Sequence, residues 1–237
     1  MREAFITPAA LERHPDLGIR LRRGPFDLHL CDDDAIAALA GSSSPQGVVA
    51  VCGFIDVDLD RALTGKPRLV ALAAQIRDPG NMGTLIRCAD AAGADAVILT
   101  AASADPYNDK AVRASAGSLF HLPLVTGTTL EAAVSALHSR HFAVIGAAGS
   151  AELTLDASRA SGSLGGPVAW VFGNEAWGLT DETRALCDRE VAVPVYGRAE
   201  SLNVATAAAL CLYTTAWAQR GLPVDGAETA PETLTAP

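Results

Sequence analysis

Three polar segments of this sequence carry residue types that could hold a ligand and assist a reaction on it. The segment at residues 201–209 (SLNVATAAA) joins a polar loop to a helix that is almost wholly apolar. A helix that is apolar on every face is buried in a core or against another subunit, so the loop before it is fixed in place. Residues 81–87 (NMGTLIR) and 172–179 (FGNEAWGL) have a similar mixture of glycine and small polar side chains. Such groups favour ligand binding over metal or nucleophile chemistry.

Arg87 is the charged residue of the first of these segments, in the pattern N-x-G-x-x-x-R. In the predicted helix Leu85 and Ala89 share the apolar face, whereas Arg87 points away from it. Arg87 therefore faces either a cleft or solvent. An arginine in such a position is most often a solvated surface charge, here within reach of Asp90 on the next turn.

The turn before this helix is marked by Pro79, Gly80 and Gly83, and Asn81 is the candidate N-cap. The order of strand, glycines and helix also occurs in dinucleotide-binding folds. Those folds require a G-x-G-x-x-G pattern and an acidic residue about 20 positions later. This turn lacks the glycine pattern and has no clearly placed acidic partner, which disfavours a Rossmann dehydrogenase.

The polar residues of the other two segments have a structural and a functional interpretation. Glu175 could be a helix-N-terminal carboxylate stabilised by the helix dipole. Ser201 and Asn203 could serve as ordinary turn and capping residues before a helix. Alternatively, these residues and Gly173 line a ligand site at the carboxyl edge of a sheet, where open α/β folds bind ligands.

Composition predicts a globular protein and limits its partners. The 237 residues, 49% of them hydrophobic, can bury a full core. The net charge of -9 and the pI of about 4.9 argue against a broad basic surface for nucleic acid. Small cationic spots remain, and they suit phosphate contacts. They consist of Arg20, Arg22 and Arg23 near the N-terminus and of Lys110 and Arg113 on one predicted helix face.

The five cysteines are scattered and never occur at C-x-x-C spacing, so we expect reduced structural thiols and no metal site. No apolar run approaches the roughly 18 residues of a membrane-spanning helix, and the N-terminus does not have the layout of a secretory signal. The expected location is the cytoplasm, with no membrane partner.

Strand-like apolar runs alternate with segments of helical period over residues 66–222, which predicts an α/β domain with a mostly parallel sheet flanked by helices. The predicted strands are at 69–73, 96–99, 143–146, 168–172 and 191–193. Residues 1–60 are predicted to form a small α/β domain and linker, with a helix-like stretch at 8–13 and a helix start at 32–34. Residues 223–237 are predicted to be a disordered tail.

In their order along the chain, the three polar segments resemble the signature of the SpoU (TrmH-type) branch of the SPOUT RNA methyltransferases. The resemblance covers about residues 67–221. It implies a deep C-terminal trefoil knot, an exception to the rule that chains do not knot, and a homodimer with a shared active site. It also implies that residues 1–60 are a truncated, ribosomal-protein-like RNA-binding domain. S-adenosylmethionine would be held in the knot, at positions matching Gly173, Leu179, Val193, Ser201, Leu202 and Asn203.

The activity implied is transfer of a methyl group from S-adenosylmethionine to a ribose 2′-hydroxyl of RNA, with 23S ribosomal RNA as the expected substrate. Transfer RNA is the alternative substrate, and a non-catalytic RNA-binding protein is the alternative class. Arg87 would activate the hydroxyl by orienting and polarising it, because a guanidinium is a poor base. Asn81 would position the ribose, and Glu175 and Asn203 would support the loop. RNA contacts are expected at Arg20, Arg22, Arg23, Lys110 and Arg113.

Overall fold

A computed structural model describes residues 1–41 and 44–221 of the chain. It divides into two compact units, residues 1–55 and the remainder from Asp56 onward. The predicted tail at 223–237 lies outside the described residues. Among the described residues, no helix is both long and apolar enough to cross a membrane.

The described residues of the first unit form a three-stranded sheet and three helices. Strand β1 is central in the order β2-β1-β3 and pairs parallel to β2 and antiparallel to β3. Its small core consists of Ala4, Ile6, Ala10 and Leu21. The predicted helix at 8–13 and the predicted helix start at Asp32 are both present. The elements are β1 (Glu3–Ile6), α1 (Pro8–Arg13), α2 (Pro15–Arg23), β2 (Asp27–Leu30), α3 (Asp33–Ala40) and β3 (Val48–Val51).

The second unit alternates strands and helices. Its elements are α4 (Leu59–Ala62), β4 (Leu69–Ala73), α5 (Pro79–Ala92), β5 (Ala96–Thr100), α6 (Asp109–Ser115), β6 (Leu124–Thr128), α7 (Leu130–His138), β7 (Ala143–Ala147), α8 (Leu155–Ala160), β8 (Val168–Phe172), α9 (Asp181–Ala185), β9 (Arg189–Val191) and α10 (Val204–Gln219), with a short 3-10 turn at Ser118–Phe120.

Its six strands are all parallel, in the order β6-β5-β4-β8-β7-β9. The predicted mostly parallel sheet flanked by helices is confirmed. The strand predicted at 191–193 begins earlier, at Arg189. Strand β6 escaped prediction because its sequence, LVTGT, ends in polar residues around Gly127, which has a positive φ of 68°. Both differences fall on the edge strands of the sheet, which are only partly buried and therefore have a weaker apolar pattern.

Alternate residues of β4 point to opposite faces of the sheet. Leu69, Ala71 and Ala73 pack in one core with residues of α5, α8 and α10. Val70 and Leu72 pack in a second core with residues of α4 and α7. Strands β4, β5 and β8 are buried along their whole lengths, so they form a rigid base for the loops that follow them.

Three loops leave the carboxyl edge of this sheet. They are residues 74–78 after β4, 173–180 after β8 and 192–203 after β9. Because the strands are parallel, these ends lie on the same side of the sheet. The three polar segments of the sequence are therefore brought to one edge.

Candidate active site

Three of the predicted catalytic residues form one hydrogen-bonded network. Asn203 Nδ2 donates to Asn81 Oδ1 at 2.9 Å, and Asn81 Nδ2 donates to Glu175 Oε1 at 3.1 Å. Asn81 is 94 residues from Glu175 and 122 residues from Asn203 along the chain. The network therefore joins all three loop regions at the sheet edge.

Glu175 is the acceptor at one end of this network. Its Oε1 also accepts the backbone N–H of Asp78 at 3.1 Å, and its Oε2 accepts that of Arg77 at 3.3 Å. Partial burial raises the pKa of Glu175, but the hydrogen bonds from Asn81 and from the backbone outweigh it and hold this pKa below its usual value. Glu175 is thus an ionised group at the start of α5, where a negative charge is favoured by the helix dipole. Glu175 itself lies in a loop, and the helix whose N-terminus it contacts is α5.

The N-cap of α5 is Asp78, so the prediction that Asn81 caps this helix is wrong. Asp78 Oδ1 accepts the backbone N–H of Asn81 at 2.8 Å, and Pro79 occupies the first helical position. Proline is favoured there because its missing N–H is not needed. The Asn81 side chain is consequently left free to bridge Glu175 and Asn203.

Asn203 combines the capping role and the network role. Its Oδ1 accepts the backbone N–H groups of Ala205 at 2.9 Å and Thr206 at 3.3 Å, at the start of α10. These bonds fix the amide plane so that Nδ2 faces Asn81. The prediction that Asn203 is a capping residue is therefore correct, and the same side chain also takes part in the site network.

Arg87 lies on α5 but outside the network. It is exposed, six positions and therefore about 9 Å along the helix from Asn81. Within the described part of the chain it makes no hydrogen bond or ion pair. The expected partner Asp90 instead contacts His121 Nδ1 at 2.8 Å. The predicted Arg87–Asp90 pair is wrong, and the guanidinium keeps all its donors for a ligand.

The loop after β8 is closed by backbone hydrogen bonds that join Asn174 and Gly178 in both directions, each 2.9 Å long. A Cβ atom on Gly173 would lie 2.3 Å from the Gly178 carbonyl oxygen, so only glycine fits this turn. Leu179 is buried beneath it. Gly173 and Leu179 thus shape the backbone at the sheet edge.

The loop after β9 has the donor set expected for a polar ligand. Within the described structure, the backbone of residues 193–202 makes no hydrogen bond to other backbone groups. Val193 packs on the core, Leu202 is half-buried and Ser201 is exposed. The free backbone N–H and C=O groups of this loop could form hydrogen bonds with the edge of an adenine ring or with the charged groups of an amino acid.

Two further residues of the site escaped sequence prediction. Asn174 is buried, and its Nδ2 donates to the Gln75 carbonyl at 2.9 Å while its Oδ1 accepts the Ala176 N–H at 2.8 Å. Gln75 has a φ of 65°, a strained value for a residue with a side chain. The Gln75 N–H is held by Ser103 Oγ at 3.1 Å. No local pattern marked either residue, because the contact joins positions 99 residues apart.

The predicted RNA-binding cations are placed on two separate helices. Lys110 Nζ contacts Asp78 Oδ2 at 2.7 Å, and Arg113 contacts Asp109 at 2.9 Å. The hydrogen bond from Lys110 is the main reason that the pKa of Asp78 lies below its usual value. The arginines on α2 are exposed and make no ion pair with a described residue; they are Arg20, Arg22 and Arg23.

No described group of three or more acidic, histidine or cysteine side chains is arranged to hold a metal ion.

Comparisons with known proteins point to one family. The model of the SpoU rRNA Methylase family matches residues 68–213. The 23S rRNA (guanosine(2553)-2'-O)-methyltransferase RlmP of Bacillus subtilis is 38% identical over 185 residues, which are 78% of this chain and 71% of that protein. The 23S rRNA (uridine(2479)-2'-O)-methyltransferase of Streptomyces viridochromogenes is 37% identical over 178 residues, which are 73% of this chain and 60% of that protein.

A solved structure matches both units. The SpoU methyltransferase AviRb from Streptomyces viridochromogenes in complex with the cofactor AdoMet has a TM-score of 0.81 and 29% sequence identity, covering 93% of this chain and 83% of that chain. The family match spans the three polar loops and the start of α10. This chain therefore belongs to the SpoU rRNA methylase family.

Proposed function

We propose that this protein transfers a methyl group from S-adenosylmethionine to a ribose 2′-hydroxyl of 23S ribosomal RNA. The observation that carries the proposal is the Asn203–Asn81–Glu175 network at the sheet edge of a SpoU family member. The activities named for the B. subtilis and S. viridochromogenes relatives support the substrate class. A 23S ribosomal RNA substrate would place the enzyme in the cytoplasm.

The residues present fit S-adenosylmethionine. Gly173 permits the tight turn that carries Glu175, and the free backbone groups of residues 193–202 offer donors and acceptors to a ligand. Val193, Leu202 and Leu179 would form the apolar side of its site, with Ser201 and Asn203 on the polar side. When bound, this cofactor supplies an electrophilic methyl group to an oxygen nucleophile.

Within this site, Asn81 and Arg87 would act on the RNA. Asn81 is fixed by two hydrogen bonds, so its amide could position the ribose without losing side-chain freedom on binding. Arg87 would hold the hydroxyl and an RNA phosphate with its planar guanidinium. Because a guanidinium is a poor base, Arg87 would orient the hydroxyl and stabilise developing negative charge, and the proton would pass to solvent.

Glu175 and Asn203 would act as positioning residues. Glu175 holds the start of α5 through two backbone N–H groups, and Asn203 holds the start of α10. Between them they fix Asn81 from both sides. A homodimer is part of the proposal, because α10 leaves the apolar side chains of Leu210 and Trp217 exposed.

The test is methylation of unmodified 23S ribosomal RNA transcript by the purified protein with methyl-labelled S-adenosylmethionine, followed by mass spectrometry of the nucleosides. We expect one 2′-O-methylnucleoside and no base-methylated product. Transfer RNA transcripts serve as the second substrate, and methylation of these alone would reassign the substrate.

A second measurement separates an inactive binding protein from an enzyme. S-adenosylhomocysteine should bind with one site per chain in calorimetry. A folded protein that binds the RNA but neither this ligand nor a methyl group would contradict the proposed reaction.

A further inference from the structure

Trp177 and Arg77 form an exposed pair beside the Glu175 network. Arg77 Cζ lies 5.3 Å from the centroid of the Trp177 ring, which is a cation–π distance. Trp177 nevertheless leaves 50% of its surface exposed. The reaction proposed above uses neither residue.

The loop holds this pair in a fixed position. Trp177 lies between Asn174 and Gly178, which are joined by two backbone hydrogen bonds. Arg77 is held from the other side, because its backbone N–H donates to Glu175. A rigid aromatic side chain loses little conformational entropy when it binds a ligand. The pair is therefore organised before any ligand arrives.

We propose that Trp177 is a stacking site for an unpaired RNA base next to the ribose that is methylated, with Arg77 supporting its ring. This proposal rests on the proposed function. Proteins recognise single-stranded RNA by stacking unpaired bases on aromatic rings and on guanidinium planes. The ring is two residues from Glu175, which contacts Asn81, and so lies next to the place proposed for the ribose.

The charge of the chain favours stacking as the mode of recognition. With a net charge of -9, a broad electrostatic grip on the RNA backbone is disfavoured. Lys110 and Arg113 near the site are each paired with a carboxylate. Stacking on a ring needs no net positive charge, so it allows an acidic protein to hold RNA at the reacting nucleotide.

The test compares RNA binding by Trp177→Ala, Trp177→Phe and Phe120→Ala, using unmodified 23S ribosomal RNA transcript and saturating S-adenosylhomocysteine. Phe120 is the matched control, because it is an aromatic residue of the same unit that is 58% exposed. We expect Trp177→Ala to weaken binding about 5- to 150-fold, the range for loss of one stacked base. Trp177→Phe should keep most of the affinity, and Phe120→Ala all of it.

Salt dependence separates stacking from charge effects. Stacking releases no counterions, so the slope of log Kd against log salt should be the same in Trp177→Ala and the parent protein. A smaller slope, or an unchanged affinity, would overturn the proposal. In a Trp217→Phe background Trp177 is the one exposed tryptophan, and its fluorescence should be quenched by the RNA.

Two other binding partners of the Trp177 ring would give different results in these measurements. Loss of S-adenosylhomocysteine binding in Trp177→Ala would assign the ring to the cofactor, and a halved mass in sedimentation would assign it to a second copy of the chain. Either result overturns the RNA proposal. Binding is measured without methyl transfer, so failure of the proposed reaction would be seen separately, as an absence of methylated product with the parent protein.

Discussion

At the scale of single residues, the site is organised by one carboxylate. Glu175 accepts three hydrogen bonds, from Arg77, Asp78 and Asn81. Hydrogen bonds to an ionised acceptor are stronger than those between neutral groups. The amide of Asn81 is thereby given one orientation, with its oxygen directed at Asn203.

The pH dependence of stability should reveal this carboxylate. Its pKa in the folded protein is lowered, against about 4.3 in an unfolded chain. Its contribution is therefore present in full above about pH 4.3 and is lost as the pH falls through the lower folded value. We expect Glu175→Gln to be less stable than the parent near neutral pH, and the difference to shrink below about pH 4.

Urea unfolding at several values between pH 7 and pH 3.5 measures this difference. Glu152→Gln is the control, because Glu152 is exposed and makes no hydrogen bond with a described residue. A difference between Glu175→Gln and the parent that is independent of pH would show that the charge of Glu175 is not responsible.

Arg87 is the second residue that a substitution can test. Arg87→Ala should lower single-turnover methylation at least ~100-fold, the lower range for a group that assists proton transfer. S-adenosylhomocysteine binding should stay nearly unchanged. Arg87→Lys should restore little, because lysine lacks the planar fork that contacts two oxygens at once.

Arg61→Ala on α4 is the matched control for Arg87→Ala, since α4 packs in the core on the opposite face of the sheet. It should methylate at the parent rate. If Arg87→Ala methylates RNA at the parental rate, Arg87 is only a solvated surface charge and its proposed role is refuted. The family assignment does not depend on this result.

At the scale of elements, the position of Asn81 depends on close packing of α5 against α6. A Cβ atom on Gly83 would lie 2.2 Å from the Ala111 carbonyl oxygen and 2.7 Å from the Ala114 Cβ. The glycine in N-x-G-x-x-x-R is therefore required by packing between helices. The same contact brings Lys110 of α6 to Asp78, the N-cap of α5.

Gly83→Ala should consequently destabilise the protein by about 1–3 kcal/mol, as overpacking does in a close-packed core. Thermal unfolding followed by circular dichroism measures the change. Gly149→Ala is the control, because a Cβ atom there meets nothing within 4 Å. Equal melting temperatures for the two variants would mean that α6 can shift away from α5 with no loss of stability.

Strands and helices could be predicted from the sequence more accurately than the contacts between residues far apart in the chain. Buried strands and the apolar face of α5 have local periodic signals, and they lie where the pattern places them. The N-cap of α5 was misassigned because Asp78 and Asn81 are both good capping residues. Asn174 and Gln75 had no local signal at all, since their roles depend on a contact between residues 99 positions apart.

At the scale of the whole molecule, α10 is the element with an unexplained surface. Cys211, Leu212 and Ala216 are buried in the core, so none of them is available to a partner. Leu210 and Trp217 are exposed on the opposite side, with Tyr213 half-buried between them. Their spacing of three and four places them on one face. The homodimer and the knot both stay predictions.

The dimer can be tested by sedimentation, which should give about twice 24.4 kDa at micromolar concentration. Leu210→Asp should shift the protein towards the monomer, because a carboxylate buried in an apolar interface is costly. Leu153→Asp changes an exposed leucine outside α10 and should leave the mass unchanged. A stable, active monomer of the parent protein would contradict the prediction.

The network that joins Asn81 to partners 94 and 122 residues away also has a consequence for folding. Contacts between distant parts of a chain are costly to form, because closing the intervening loop loses conformational entropy. The network closes only after the chain has been synthesised as far as Asn203 and the ends of β4, β8 and β9 have met. Nascent chains shorter than 203 residues consequently lack the complete network, and so does any partly unfolded chain in which one of the three strand ends is displaced.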